Sequence, residues 1–253
     1  MKKFLEINSS FRMESGIKIN YVCKFCYLLF MVFILNSTGV FAQFAVVNDK
    51  DGYVNVRNSP KVERNNIIDT LHNGSFVFVM EETNNGNWVN IDFRNICNGY
   101  IYANRIKYIS DYKNIALEFE DHNKGIFKDN NISVEIKIRE FNKSKHTINY
   151  TNNESSNFIS TIDDEKFWGT DGDIPKNEYD YISITRNNLK YFLPSEAIKN
   201  LFEPSLNWTK VNYDKENDIL YIRSMNSDGA GAYNVIWRIE KGIYKERAVY
   251  YGF

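Results

Sequence analysis

Asp51-Gly52-Tyr53-Val54-Asn55-Val56-Arg57-Asn58-Ser59-Pro60 is the stretch that decides the fold. Val54 and Val56 fall on one side and Tyr53, Asn55 and Arg57 on the other, the period-two pattern of a half-buried strand. A polar turn, Asn48 to Gly52, precedes it, and Ser59-Pro60 ends it. Outward from this stretch the same grammar repeats. Ala45-Val46-Val47 lies before it. Leu71-His72-Asn73-Gly74 reads as a tight turn in which glycine supplies a positive φ, leading into Ser75 to Met80. Asn84-Asn85-Gly86-Asn87 turns into Trp88 to Phe93, and Asn98-Gly99 turns into Tyr100-Ile101-Tyr102. Short apolar runs between closely spaced turns predict a small β-barrel over residues 43–110.

Four landmarks occur in order: the quoted stretch, Leu71 to Gly74, Gly86-Asn87-Trp88-Val89-Asn90-Ile91, and Gly99-Tyr100-Ile101 closing with Asn104-Arg105-Ile106. In this order they resemble the bacterial SH3 (SH3b, type 3) family from Ala45 to Ser110. One position departs from the family pattern, with Ser59 where a glycine is common before the proline. The resemblance implies an SH3-like barrel and a non-catalytic adaptor role on an exported protein; several members of the family hold peptide stems or cross-bridges of the cell wall. It does not name the ligand, since one fold hosts many functions.

Aromatic and polar groups near the loops are the ligand-binding candidates: Tyr53, Asn55, Arg57, Trp88, Tyr100 and Tyr102. Tyr53, beside the long first loop, is the best placed. Trp88 opens a strand, where an indole more often seals a barrel edge, and Arg57 has loop carbonyls within its reach as an alternative to a ligand.

Residues 111–130 read as a charged connecting segment with one short strand at Ile115 to Phe119. A second β-rich domain, of no recognised family, covers residues 131–253. Ile132, Val134, Ile136 and Ile138 alternate there with Ser133, Glu135, Lys137 and Arg139, the clearest period-two run in the chain. Further strands are predicted at Phe158 to Ile162, Tyr179 to Thr185, Lys190 to Leu193, Thr209 to Tyr213, Ile219 to Arg223, Ala232 to Ile239 and Tyr244 to Tyr250. Ser195 to Phe202 predicts the one short helix, with Ser195 as N-cap and Pro204 beyond its end. The fold class is therefore all-β, an SH3-like barrel followed by a β-sandwich or meander with one short helix. Within the second domain Phe167 to Pro175 mixes aromatics, acids and glycines, making Trp168, Asp171 and Asp173 candidates for a second binding surface. The alternative is a tight turn with Trp168 plugging the sandwich end.

Composition agrees with a β-dominated globular chain: 43% of the 253 residues are apolar and 15% are aromatic, mainly Phe and Tyr. The formal net charge is -1, and five basic against two acidic side chains fall within the first 42 residues, so the rest is mildly acidic. That balance argues against a nucleic-acid partner. The basic start, the apolar run Phe25 to Leu35 and Val40-Phe41-Ala42 predict a signal peptide, residues 1–42, cleaved after Ala42. The destination is then periplasmic or extracellular. An uncleaved segment from Tyr21 to about Phe44 is the alternative and the sole membrane contact foreseen. Translation from Met13 would shorten the long basic region. Cys23 and Cys26 leave with the signal, and Cys97, without an intramolecular partner, reads as a small buried hydrophobe.

Catalytic patterns are missing. The C-terminal domain has no cysteine for a cysteine peptidase, and His72, His122 and His146 stand in no metal-binding spacing. Neither Asp171-Gly172-Asp173 nor Asp214 to Asp218 follows a calcium loop, so no cofactor or metal is assigned. Glu165, Asp171, Glu178 and Glu203 could converge as glycosidase carboxylates, although nothing in their spacing favours it. The leading expectation is an exported non-enzymatic binding protein for a peptide or peptidoglycan-like ligand. An interaction protein of inhibitor or immunity type, acting on a secreted enzyme, is the alternative, and a carboxylate-based cell-wall hydrolase ranks below both.

Overall fold

Seven strands form the first sheet: β1 (Gln43–Val47), β2 (Tyr53–Arg57), β3 (Ile67–His72), β4 (Phe76–Glu82), β5 (Trp88–Phe93), β6 (Cys97–Tyr102) and β7 (Ile106–Tyr108). The computed structural model describes residues 43–94, 97–153 and 156–252. The signal-peptide reading of residues 1–42, with Cys23, Cys26 and Met13, lies outside them. The strands run antiparallel in the order β3-β2-β6-β5-β4-β1-β7. Bulges at Val56/Arg57 and Val79/Glu81 add twist, and the sheet curls around Val47, Val54, Val56, Leu71, Val77, Val79, Val89, Ile91 and Ile101.

Three features of this sheet differ from the sequence reading. Leu71 and His72 end β3, so that the turn expected at Leu71 to Gly74 is confined to Asn73-Gly74. Asn98-Gly99 is not a turn but lies inside β6, opposite Asp92 and Ile91. Glycine is needed there because a Cβ would stand 2.4 Å from Val56 Cγ1, so the residue answers a close approach between β2 and β6. Cys97 is exposed and not buried. Its register directs it to the same side as Gly99 and Ile101, but it opens β6 at the sheet end, beyond the packed residues.

The second sheet has nine strands: β8 (Lys113–Glu120), β9 (Lys124–Asp129), β10 (Ile132–Glu140), β13 (Asn177–Arg186), β14 (Leu189–Phe192), β15 (Thr209–Asp214), β16 (Ile219–Asn226), β17 (Tyr233–Glu240) and β18 (Ile243–Tyr251). A separate hairpin, β11 (Ile148–Asn153) with β12 (Ser156–Ile162), sits between β10 and β13 in the chain. The sheet order is β14-β13-β10-β9-β8-β15-β16-β17-β18. The stretch 111–130, read from sequence as mostly a connection, thus supplies two full strands. Because Ile136, Ile182 and Ile184 from one half share a core with Ile222, Val235 and Trp237 from the other, the sheet folds back on itself as a curved, sandwich-like meander.

Ser195 to Phe202 fills the space between the two halves, and the expected helix shrinks to one 3-10 turn, Ser195–Ala197. Pro194 occupies the cap position without a side-chain bond, and Asn200 takes a positive φ of 58°. Tertiary bonds compete successfully with the helix here. Trp237 Nε1 donates to the Ala197 carbonyl at 2.6 Å, while Leu201 and Phe202 bridge to Trp168 and Glu178.

The two sheets belong to one compact unit. Phe44, Val46, Phe76 and Phe78, on the outer face of β1 and β4, pack against Tyr221, Ile236 and Tyr250 of the second sheet. Phe78 stacks on Tyr250 with ring centroids 5.6 Å apart, and Arg238 Nη1 donates to the Gly74 carbonyl at 2.8 Å. This explains why β1 reads as a continuous apolar run, since both of its faces are covered.

Candidate functional site

With its β1 and β4 side buried, the first sheet presents its β2-β6-β5 side. The inward alternation of Val54, Val56, Ile101, Val89 and Ile91 turns Tyr53, Asn55, Arg57, Tyr100, Tyr102, Trp88 and Asn90 outward. Register brings most of them together: Arg57 lies opposite Tyr100, Tyr100 opposite Asn90, and Tyr102 opposite Trp88. All six barrel candidates therefore share one curved face.

Their roles on that face differ. Trp88 is only 6% exposed and stacks on Tyr102 at 4.0 Å between centroids, with the Arg105 guanidinium 5.6 Å above Tyr102. It is a structural support for Tyr102 more than a contact surface. Arg57 Nη1 donates to the Glu63 carbonyl and to Asn66 Oδ1, while buried Asn66 donates to Ser59 Oγ and the Lys61 carbonyl. Arg57 therefore shapes the loop from Asn58 to Asn66, the loop-carbonyl alternative. Asn55 accepts from Thr70 Oγ1. Tyr53, 44% exposed, and half-buried Tyr100 are the freest of the set. Beyond them Asn90, Asn98 and Asp92 form a polar ladder of side-chain hydrogen bonds that the sequence reading did not single out.

The second sheet carries an open groove of about 610 Å³ at one end. Asp171, Asp173, Glu203 and Asp228 line it against one cation, Lys176, and Trp208 stands there 64% exposed. Its floor is built by close approach of two glycine-bearing loops. A Cβ on Gly231 would meet the Gly169 carbonyl oxygen at 3.0 Å, and one on Gly169 would meet the Phe202 carbonyl oxygen at 2.4 Å. Glu203 and Ser227 both hold positive φ, at 50° and 60°. Ser227 Oγ fixes the Gly169 carbonyl at 2.6 Å, and the Glu203 carboxylate accepts from the Lys176 N–H. Asp171 and Asp173 thus join a concave surface. Trp168 does not line it: the indole packs on Tyr233 and Tyr251 under the Lys166 ammonium, as a plug of the sheet end.

A third constellation joins residues far apart in the sequence. His146 Nδ1 lies 2.8 Å from Asp163 Oδ2, and its Nε2 lies 3.1 Å from Glu178 Oε2. Arg139 Nε donates to the other Glu178 oxygen at 2.9 Å, and Arg139 Nη1 reaches Asp180 at 3.0 Å. These groups border a cavity of about 250 Å³ with Lys199 and Asn200. Burial acts upward on Asp163, but the His146 hydrogen bond, the Thr147 N–H and nearby Lys199 outweigh it and hold the carboxyl below its ordinary value. Of the four carboxylates considered for glycoside chemistry, Asp171 and Glu203 line the groove. Glu178 belongs to the His146 cluster, and Glu165 is paired with Lys199 at 2.7 Å. No signal in the sequence could have found the His146 cluster, because its members come from four separate elements.

No family model matches this chain, and no curated protein matches it. Among solved structures it is similar to NlpC2 from Trichomonas vaginalis, at 9% identity, over 83% of this chain and 97% of that one. The TM-score of 0.25 is too low for that likeness to support any inference.

Proposed function

We propose that this is an exported, non-catalytic binding protein of bacterial SH3 type. The open face of its barrel takes a peptide or cell-wall component, and the acidic groove engages a positively charged part of the ligand. The observation that carries this reading is the asymmetry of the barrel. One outer face is covered by Tyr221, Ile236 and Tyr250, whereas the opposite one gathers Tyr53, Tyr100, Tyr102 and the Arg57-shaped loop with no covering element among the described residues. Rings with a polar tip suit such a surface, since they offer apolar area and a hydrogen bond together at little entropic cost. The carboxylates Asp171, Asp173 and Asp228 around exposed Trp208 suit an ammonium or amine.

Retention of the protein on purified peptidoglycan tests the reading. Tyr53→Ala with Tyr100→Ala should lower retention about tenfold, as expected for centrally placed aromatic contacts. Asp171→Asn with Asp173→Asn should lower it less and flatten its salt dependence. Retention that ignores both pairs, or is absent in the unaltered protein, would sink the proposal. Trp88→Ala is a poor probe, because it removes buried packing as well as any contact.

A further inference from the structure

The β11–β12 hairpin packs Ile148, Ile159 and Ile162 against Phe202 and Phe141, and at its base one side chain joins two carboxylates. His146 enters β11 and Asp163 leaves β12, while Glu178 belongs to β13 of the nine-stranded sheet. A carboxylate accepts hydrogen bonds, so both ring nitrogens are satisfied together only when both carry protons. The ring also lies flat on Phe141, 4.7 Å between centroids, and edge-on to Phe202 at 6.1 Å. At the other side of the hairpin, Ile159 N–H donates to the Gly172 carbonyl at 2.8 Å. Phe158 also lies so close to Gly172 that a Cβ there would stand 2.6 Å from its ring. Gly172 sits between Asp171 and Asp173, the acids of the groove wall.

We propose that the His146 imidazolium is a charge clamp: it fixes the β11–β12 hairpin to the sheet and, through Ile159 and Phe158, fixes the groove wall that carries Asp171 and Asp173. The clamp makes the groove responsive to protons, and in that respect the inference rests on the groove being a binding surface. Losing one ring proton turns a donor into a lone pair aimed at a carboxylate, exchanging an attraction for a repulsion in a nearly buried site. The charges around the ring come from every neighbouring element. Asp163 and Glu178 are on its nitrogens, Arg139 and Asp180 are beyond Glu178, and Lys199, paired with Glu165, is beside Asp163. Arg139 already occupies the second oxygen of Glu178, so this carboxylate stays bound to the sheet when the ring lets go. The hairpin is the part released.

Hydrogen–deuterium exchange across a pH series, corrected for intrinsic rates, tests the clamp. In the unaltered protein, amides of Ile148 to Thr151, Phe158 to Ile162 and the loop from Gly169 to Ile174 should lose protection together, by about tenfold, over the range in which the ring proton is lost. His146→Gln should show the lowered protection throughout, without that pH response, while His122→Gln, at an exposed turn, should match the unaltered protein. NMR of the imidazole nitrogens supplies a readout that needs no variant: both must carry protons wherever the hairpin is protected. A singly protonated ring in the protected state, or a hairpin that loosens while the loop from Gly169 to Ile174 does not, would overturn the proposal. The peptidoglycan experiment with Asp171 and Asp173 altered tests the groove as a ligand surface separately, so failure of one reading does not mimic failure of the other.

Discussion

The two sheets are held together by different chemistry. The barrel core is aliphatic apart from Phe93, and its most buried polar side chain, Asn66, lies in a loop. The second core contains polar groups at its centre. Asn226 Oδ1 accepts from the Ser205 N–H and Ser224 Oγ, and its Nδ2 donates to the Tyr179 hydroxyl. Tyr233 donates to the Phe202 carbonyl, and Trp237 to that of Ala197. An aliphatic core rewards the right size and period, and tolerates exchange. A core of bonded polar groups demands particular partners, because each orphaned group bears its full desolvation cost.

The sharpest way to break this comparison is Trp237→Ala. The indole is fully buried, so the change opens a large cavity and orphans the Ala197 carbonyl that closes the two halves of the sheet. A loss of about 3–5 kcal/mol is expected in urea unfolding. Ile91→Val, in the barrel core, should cost only about 1 kcal/mol by the same measurement. Equal losses would mean that the second sheet is no more exacting than the barrel.

The same contrast decides what the sequence discloses. Strands whose one face is buried by aliphatic residues are legible from period alone. Val54 and Val56 give β2, and Ile132, Val134, Ile136 and Ile138 give β10. Where burial follows no simple period the pattern fades. β3 is an edge strand with Ile67 and Ile68 exposed, and β8 buries only Ile115 among eight residues. The helix expected at Ser195 to Phe202 had good local signals, yet Trp237, Trp168 and Glu178 supply partners that local propensity cannot anticipate. For the sites, the outward residues of β2, β5 and β6 follow from alternation. Trp208, Asp228 and the His146 cluster do not, because only the folded sheet brings them to their neighbours.

Two buried asparagines sharpen the comparison at intermediate scale. Asn226→Ala should cost about 3 kcal/mol in global stability, since three partners around a fully buried side chain lose their bonds together. Asn66→Ala breaks four bonds, one more, but around a surface loop where water can replace them, and about 1 kcal/mol is expected. Its main consequence should be local: faster amide exchange from Asn58 to Asn66, and weaker peptidoglycan retention through the released Arg57. If Asn66→Ala proves the costlier change, the division between an apolar barrel and a polar second core fails.

The smallest effect concerns charge. Asp163 is held below its ordinary value because the His146 hydrogen bond, the Thr147 N–H and Lys199 outweigh the upward push of burial. The unfolded chain therefore takes up this proton first as pH falls. Stability from Asp163 is complete above the ordinary carboxylate range and is lost as pH drops through the native value. Asp163→Asn removes that contribution while retaining an oxygen for the Thr147 N–H. The variant should be less stable at neutral pH by about 1 kcal/mol or less, because the carboxylate is partly exposed. Its urea-unfolding curve should converge with that of the unaltered protein once the native carboxyl is protonated. The described residues around Ile91 in the barrel core are aliphatic apart from Phe93, so Ile91→Val should shift stability by the same amount at every pH. Parallel curves for Asp163→Asn would show that its charge contributes nothing to holding the hairpin base.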